Sequence, residues 1–140
     1  MVDTFQHAAL PKLVFGAGSI SSLPELVKPY GTACLILTGK SSFTSQSVWG
    51  EVQAQLKAAG ISHSHAVISG EPSPLWIDEI VSRNRDKNSK VVIAIGGGSV
   101  LDAGKAVSAM LCHHHPTKSY LEGVGDRKPT SAKIPFIAVP

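Results

Sequence analysis

The sequence has only two cysteines, Cys34 and Cys112, among its 140 residues. Two thiols cannot form the disulfide framework that stabilises many small secreted domains, so we expect a reducing compartment such as the cytoplasm. No apolar run approaches the roughly 18 residues of a transmembrane helix, which argues against a membrane partner. Residues 1–6 also lack the charged-then-apolar order of a secretory signal peptide.

Charge is sparse as well. Charged residues make up 16% of the sequence, and the formal net charge of +3 comes from scattered side chains. Proteins that bind nucleic acid usually carry a basic patch, often interleaved with aromatic residues, and no such stripe is present. We therefore expect no nucleic-acid partner. The 43% hydrophobic content is enough for one domain with a core, spanning residues 1–140.

Strand and helix patterns alternate along the chain without internal repeats. This order predicts an α/β fold, a Rossmann-like parallel sheet with helices on both faces. Ligands of such sheets bind at the carboxyl ends of the strands, near the switch in strand order. The predicted strands cover residues 13–15, 33–38, 65–68, 91–95 and 136–139, and the helical patterns cover 19–27, 48–59, 76–81 and 100–110. Residues 83–90 are predicted to be a solvated helix terminus and loop, and residues 113–133 form a polar segment rich in His, Gly, Pro and Lys.

The most informative stretch is a glycine-rich turn, Gly96-Gly97-Gly98-Ser99, between a buried strand and a helix. Without side chains, its backbone N–H groups can face a ligand at the positive end of the helix, which favours phosphate. We predict that Ser99 caps the helix and that its hydroxyl adds a donor. A tight turn that binds nothing is the open alternative.

This turn also carries a resemblance. Gly96-Gly97-Gly98-Ser99-x-x-Asp102-x-x-Lys105-Ala106 resembles the GGGSxxDxxKA signature of the iron-containing (group III) alcohol dehydrogenase family. Residues 15–18 resemble the family's FGxG, residues 71–74 stand where it usually has Asn-Pro-Thr, and residues 134–140 resemble the stretch before its TTxGTGSE motif. The resemblance implies the N-terminal NAD(P)-binding domain of an enzyme that transfers hydride between a nicotinamide cofactor and a small alcohol or carbonyl compound.

The cofactor-binding residues that we predict lie in these loops and in the following helix. The resemblance places Asp102 near the cofactor, although a carboxylate there also complements the helix dipole. Lys105 holds the cofactor or Asp102, or is simply a helix lysine. The predicted set is Gly39, Lys40, Ser41, Pro72, Gly96, Gly97, Gly98, Ser99, Asp102 and Lys105.

Gly39 bears on the choice between NAD and NADP. Dehydrogenases that prefer NAD usually place an acidic residue where the strand ends, to accept a hydrogen bond from the ribose. The resembled family often has Asp there, whereas this chain has Gly39 followed by Lys40 and Ser41. We predict that NADP is accepted and even preferred, because nothing repels its 2′-phosphate and Lys40 can attract it. Alternatively, Gly39 is only a loop glycine.

The resemblance also implies a divalent metal, iron or zinc, held by an Asp and three His in a helical C-terminal domain that this sequence lacks. We assign no catalytic residue and no metal ligand here. Cys112 to His115 are consecutive, so their side chains diverge on a helix and are expected at the surface. His7, His63 and His65 are isolated.

Three interpretations of the sequence are open. The first is the cofactor-binding domain of an alcohol dehydrogenase, inactive by itself, with a second copy of the protein in a homo-oligomer as a candidate partner. The second is a stand-alone, non-catalytic domain that binds nucleotide or a partner protein. The third is a fragment of a dehydroquinate synthase, whose glycine loop is similar.

Overall fold

The computed structural model describes residues 11–140, so His7 and the N-terminal signal-peptide prediction lie outside the described residues. Strands and helices alternate along this part of the chain, with the following bounds. The strands are β1 (Ala33–Gly39), β2 (Ser62–Ile68), β3 (Val91–Ile95) and β4 (Phe136–Val139); the helices are α1 (Leu23–Val27), α2 (Ser47–Ala58), α3 (Pro74–Asn84) and α4 (Gly98–Met110).

The four strands form one sheet in the order β2-β1-β3-β4, and every neighbouring pair is parallel. From β1 the chain crosses to one side to form β2 and then to the other side to form β3. The strand order therefore switches between β1 and β3, which is where ligands bind in open α/β sheets. The predicted parallel sheet is confirmed.

Both faces of the sheet are covered by helices, as predicted, because alternate residues of each strand point to opposite faces. Leu35 and Val92 belong to the core beneath α3 and α4. Cys34 and Ile93 belong to the core beneath α1 and α2. Burial raises the pKa of the Cys34 thiol to about 11, so this thiol is an inert core group, whereas Cys112 is exposed; both are free thiols.

Helix α4 lies close against the sheet because of Gly104. A Cβ atom at Gly104 would stand 2.7 Å from the Ala94 Cβ and 2.7 Å from the Phe136 ring. Only a residue without a side chain allows this approach, so Gly104 fixes how α4 packs on β3 and β4. The N-terminus of α4 is thereby held at the carboxyl end of β3.

Two predictions near the start of the described chain were wrong. Residues 13–15 form no strand: Leu13 is 84% and Phe15 is 96% exposed, and no described strand pairs with them. The apolar run alone was not sufficient evidence for a strand, because a strand also needs a neighbouring strand to form hydrogen bonds with its backbone. The next helix begins as a 3-10 turn at Ser19–Ser22, its N-cap residue is Gly18 rather than Ser19, and α1 then buries Leu23 and Val27.

The polar segments are less solvated than predicted. Asn84 and Ser89 are buried, and Arg85 donates hydrogen bonds to carbonyl oxygens at the end of α4. His113 is buried as well, which corrects its assignment to the surface, while His114 and His115 are exposed. The polar composition of these segments predicts exposure to solvent. It does not show that some of these side chains are buried by hydrogen bonds to backbone groups. Within residues 11–140, no helix has the length and apolar character needed to cross a membrane.

Candidate functional site

The loops that follow β1, β2 and β3 meet at one edge of the sheet, which we call the rim: residues 39–42, 69–73 and 96–99. Ser99 Oγ donates a hydrogen bond to Glu71 Oε1 at 2.7 Å, which joins the loops after β3 and β2. A Cβ atom at Gly39 would lie 3.7 Å from Val100 Cγ2, so the end of β1 is adjacent to the start of α4. The rim therefore brings together the loops that the sequence singled out.

The three glycines of the turn play different structural roles. Gly96 has a φ of +148°, and a Cβ atom there would lie 2.9 Å from Val100 Cγ2, so both backbone and space require glycine. Cβ atoms at Gly97 and Gly98 would meet no atom within 4 Å. The space above these two residues is open, so a ligand can approach their backbone directly.

Helix α4 begins without a side-chain cap. Its N-cap residue is Gly97, not Ser99 as predicted, and no side chain accepts a hydrogen bond from its first turn. The first N–H groups of a helix have no acceptor within the helix. In the described part of the chain, the N–H groups of Gly97, Gly98 and Ser99 have no backbone acceptor either. An uncapped 13-residue helix with open space in front of it fits a phosphate group.

Glu71 is the rim residue that sequence reasoning did not assign. Its exposed carboxylate accepts a hydrogen bond from the Ser99 hydroxyl, although the sequence predicts that Ser99 faces a phosphate. The sequence did offer one indication of its role: an acidic residue lies in the loop at the carboxyl end of a strand, and such loops meet at the edge that carries the glycine turn. Pro72, the predicted neighbour of the cofactor, lies half-buried in the same loop.

Asp102 and Lys105 form an ion pair on the first turns of α4. Lys105 Nζ lies 3.1 Å from Asp102 Oδ1, and both side chains are more than 60% exposed. Such an exposed pair contributes little to stability. The sequence left open whether Lys105 contacts the cofactor, contacts Asp102 or has neither role, and the structure shows the contact with Asp102.

Gly39 is the last residue of β1, and Lys40 and Ser41 follow it as exposed residues of the rim. The Gly39 carbonyl oxygen accepts a hydrogen bond from Thr38 Oγ1 at 3.1 Å. The sequence places no carboxylate in residues 38–42, so this part of the rim carries a positive charge from Lys40.

Two concavities of the described chain lie away from the rim. One, of about 340 Å³, is at the amino ends of β3 and β4 and includes Arg85, Lys90 and Lys133. Another, of about 380 Å³, lies beside α3 and includes His114 and His115.

No group of three or more His, Cys, Asp or Glu side chains within residues 11–140 converges as metal ligands would. His113 Nδ1 bonds to the Ala109 carbonyl oxygen, and its Nε2 accepts from the Thr130 N–H. His65 is hydrogen-bonded to Thr38 and lies against Trp49. Partial burial, followed by the neighbouring His63, lowers the pKa of His65. These histidines are occupied by structural contacts.

The chain is similar to known proteins over most of its length. The family model for iron-containing alcohol dehydrogenases matches residues 11–140. A probable NADH-dependent butanol dehydrogenase 1 from Bacillus subtilis is 35% identical over 109 residues, which cover 77% of this chain and 28% of that protein. The long-chain primary alcohol dehydrogenase AdhA from Thermoanaerobacter ethanolicus is 35% identical over 102 residues, which cover 69% and 26% of the two chains.

Solved structures agree with the fold. The NADH-dependent butanol dehydrogenase A of Thermotoga maritima superposes with a TM-score of 0.86 at 26% identity, covering 96% of this chain and 34% of that one. The chain thus spans about a third of the length of these relatives and corresponds to their N-terminal part. This match favours the dehydrogenase over the dehydroquinate synthase reading. The chain belongs to the iron-containing alcohol dehydrogenase family.

Proposed function

We propose that this chain is the cofactor-binding domain, over residues 1–140, of a metal-dependent alcohol dehydrogenase or reductase. The whole protein would transfer hydride between a nicotinamide dinucleotide and a small alcohol or carbonyl compound. The observation that carries the proposal is the open, uncapped start of α4 at Gly97 and Gly98, beside the switch in strand order. The relatives that match are named as alcohol dehydrogenases.

The diphosphate of the dinucleotide would accept hydrogen bonds from the N–H groups of Gly97, Gly98 and Ser99. The positive end of α4 stabilises the negative charge there, and Gly96 lets the chain turn so that these groups face outward. Gly104 and Phe136 hold the helix against the sheet, so the donors are fixed before the ligand arrives. The bound nicotinamide supplies the hydride chemistry.

Asp102 and Lys105 would lie one turn further along α4. Because they neutralise each other, their pair adds no net charge beside the diphosphate. We propose that Lys105 keeps the Asp102 carboxylate turned toward itself and away from the phosphate. Pro72 would border the same space from the loop after β2.

The residues described here do not fit a catalytic metal, since no ligand cluster exists within 11–140. We propose that the iron or zinc of the whole enzyme is held by residues outside this range. By the same reasoning the 140 residues alone would bind cofactor without turning over. The free thiols of Cys34 and Cys112 support a cytoplasmic location.

Within this function we propose that NADP is accepted and preferred. The support is the positive charge of Lys40 beside Gly39, with hydroxyl groups on Ser41 and Ser42. Several matching relatives are named as NADH-dependent, so the proposal predicts a departure from them. A Cβ atom at Gly39 would make only ordinary contacts, at 3.7 Å and 3.8 Å, so a side chain can be introduced there.

The test is a fluorescence titration of the full-length protein with NADPH and with NADH. Wild type is expected to bind NADPH more tightly, and Gly39→Asp to reverse that order by about tenfold or more, since the new carboxylate repels the 2′-phosphate of NADPH and can accept a hydrogen bond from the ribose of NADH. Ser82→Asp, which adds the same charge at an exposed position on α3, serves as control. If neither nucleotide binds, the proposed function is wrong; if Gly39→Asp leaves the preference unchanged, only the ribose assignment is wrong.

A further inference from the structure

Glu71 is held in place by the loop that carries it. Gly70, directly before it, has a φ of +83°, and Ser73, two residues after it, accepts a hydrogen bond from the Trp76 N–H at the start of α3. Pro72 and Pro74 further limit the backbone between these points. The backbone at Glu71 is therefore held at a defined place on the rim, and the hydrogen bond with Ser99 orients the side chain.

This place is beside the only side-chain donor of the glycine turn. Ser99 Oγ lies 2.7 Å from Glu71 Oε1 and donates a hydrogen bond to that oxygen. A serine hydroxyl has a single proton to donate. While Ser99 donates to Glu71, it cannot donate to a phosphate, and the carboxylate adds a negative charge where the phosphate would bind.

We propose that Glu71 is a built-in anionic competitor of the dinucleotide, which weakens diphosphate binding at the glycine turn. The inference rests on the proposed function of that turn. When the diphosphate binds, the Ser99 hydroxyl rotates to donate to it, and the Glu71 side chain turns out into water. Glu71 is exposed, so its release costs little desolvation.

This role sets how tightly the cofactor is held. A competitor of like charge raises the dissociation constant without occupying the backbone donors of Gly97 and Gly98. Salt screens this repulsion between exposed charges, so the penalty that Glu71 imposes on binding becomes smaller as the ionic strength rises. Glu71 thereby favours exchange of the dinucleotide over its retention.

The test compares Glu71→Gln with wild type by titrating NADPH into the full-length protein. The amide keeps the size of the side chain and removes its charge, so affinity should rise by about threefold to fivefold, the size of an exposed charge interaction. The gain should shrink as ionic strength increases. Glu79→Gln is the matched control, because it removes the same charge from an exposed position on α3 that pairs with Arg83.

A second variant tests the route through the hydroxyl. In the Ser99→Ala background, Glu71→Gln should produce a smaller gain, because the carboxylate is no longer anchored beside the turn. Equal or weaker NADPH binding by Glu71→Gln, or a gain matched by Glu79→Gln, would overturn the proposal while wild-type binding still supports the proposed function. If neither wild type nor Glu71→Gln binds NADPH, the proposed function and the role of Glu71 are both wrong. If Glu71→Gln binds NADPH and wild type does not, both proposals are supported.

Discussion

The two ends of α4 differ in whether side chains form hydrogen bonds with the backbone groups there. At the C-terminal end, the Arg85 guanidinium donates to the carbonyl oxygens of His113 at 2.7 Å and Leu111 at 3.2 Å. His113 Nδ1 adds a contact with the Ala109 carbonyl oxygen at 2.8 Å. At the N-terminal end no side chain caps the helix, and space is open above Gly97 and Gly98.

This difference shows which end is available for binding. A helix has a negative end, where carbonyl groups lack partners, and a positive end, where N–H groups lack them. Here the protein satisfies the negative end with its own cation and leaves the positive end unsatisfied. Helix α2 also begins without a side-chain cap, so it is the open space above Gly97 and Gly98 that makes the positive end of α4 the place where an external anion is expected.

The largest effect should come from capping the open end. Gly97→Asp supplies a side-chain acceptor at the N-cap position, where the backbone is already extended. NADPH affinity should fall by about tenfold to a hundredfold, since about 1.5–3 kcal/mol of charge-assisted hydrogen bonding is lost. Folding stability should instead rise by a few tenths of a kcal/mol, up to about 1 kcal/mol. Nucleotide titration and urea unfolding measure the two effects.

Gly97→Ala is the control for this substitution, because it adds a methyl group in open space without an acceptor. It should lose less affinity than Gly97→Asp, because it adds some bulk where the diphosphate approaches but neither a charge nor a competing acceptor. If Gly97→Asp binds NADPH as wild type does, the open end of α4 is not the phosphate site, and the contrast between the two ends has no bearing on binding.

Removing the cap from the closed end should cost stability instead. Arg85→Met keeps the apolar part of the side chain but leaves the carbonyl groups of residues 111 and 113 without this donor. The free energy of unfolding should drop by about 1.5–3 kcal/mol, the value of hydrogen bonds from a charged group. NADPH affinity at the opposite end should stay within about twofold, since the residues are distant and share no partner.

Arg83→Met is the matched control in the urea experiment. Arg83 is exposed and pairs only with Glu79 among the described residues, so its loss should cost less than about 1 kcal/mol. Equal losses from both arginines would show that the contacts of Arg85 with α4 have no special weight.

Between the two ends, Gly104 sets the distance of α4 from the sheet. Gly104→Ala forces a methyl group to within 2.7 Å of Ala94 and Phe136, so the helix must move and unfolding should become easier by about 1–3 kcal/mol. Gly50→Ala is the control, because Gly50 lies in α2 with open space around it and should gain about 0.5–1 kcal/mol. Thermal unfolding of both variants checks the opposite signs; a neutral Gly104→Ala would contradict the close packing.

The smallest effect concerns a polar contact outside α4, between His65 and Thr38. The pKa of His65 is lowered from 6.5 in the folded protein by burial and by His63. The unfolded chain therefore binds the proton first as pH falls, so the neutral side chain's contribution to stability is complete above pH 6.5 and is lost below it. Urea unfolding at about pH 5 and about pH 8 should show a shallower dependence for His65→Gln than for wild type.

His114→Gln provides the comparison for this experiment, because it removes an exposed histidine from a different part of the chain. A His65→Gln variant with the wild-type slope would show that other groups cause the effect.

The sheet and its glycine turn were predictable from the sequence because they depend on local patterns. The β-branched run at 91–95 and the glycines after it can only be a buried strand and a sharp turn, and the structure confirms both. The partners of polar side chains were not predictable. Arg85, His113 and Glu71 each bond to groups 17 to 28 residues away, and no local pattern encodes such pairs.

The residues that we assign to the ribose lie at the edge of the fold rather than in it. Lys40, Ser41 and Ser42 are exposed, and the space at Gly39 admits a side chain at ordinary contact distance. Substitutions there leave both hydrophobic cores intact. Selection can therefore change the cofactor preference of such a protein by single steps that carry almost no folding penalty, so close relatives are free to differ in the nucleotide they use.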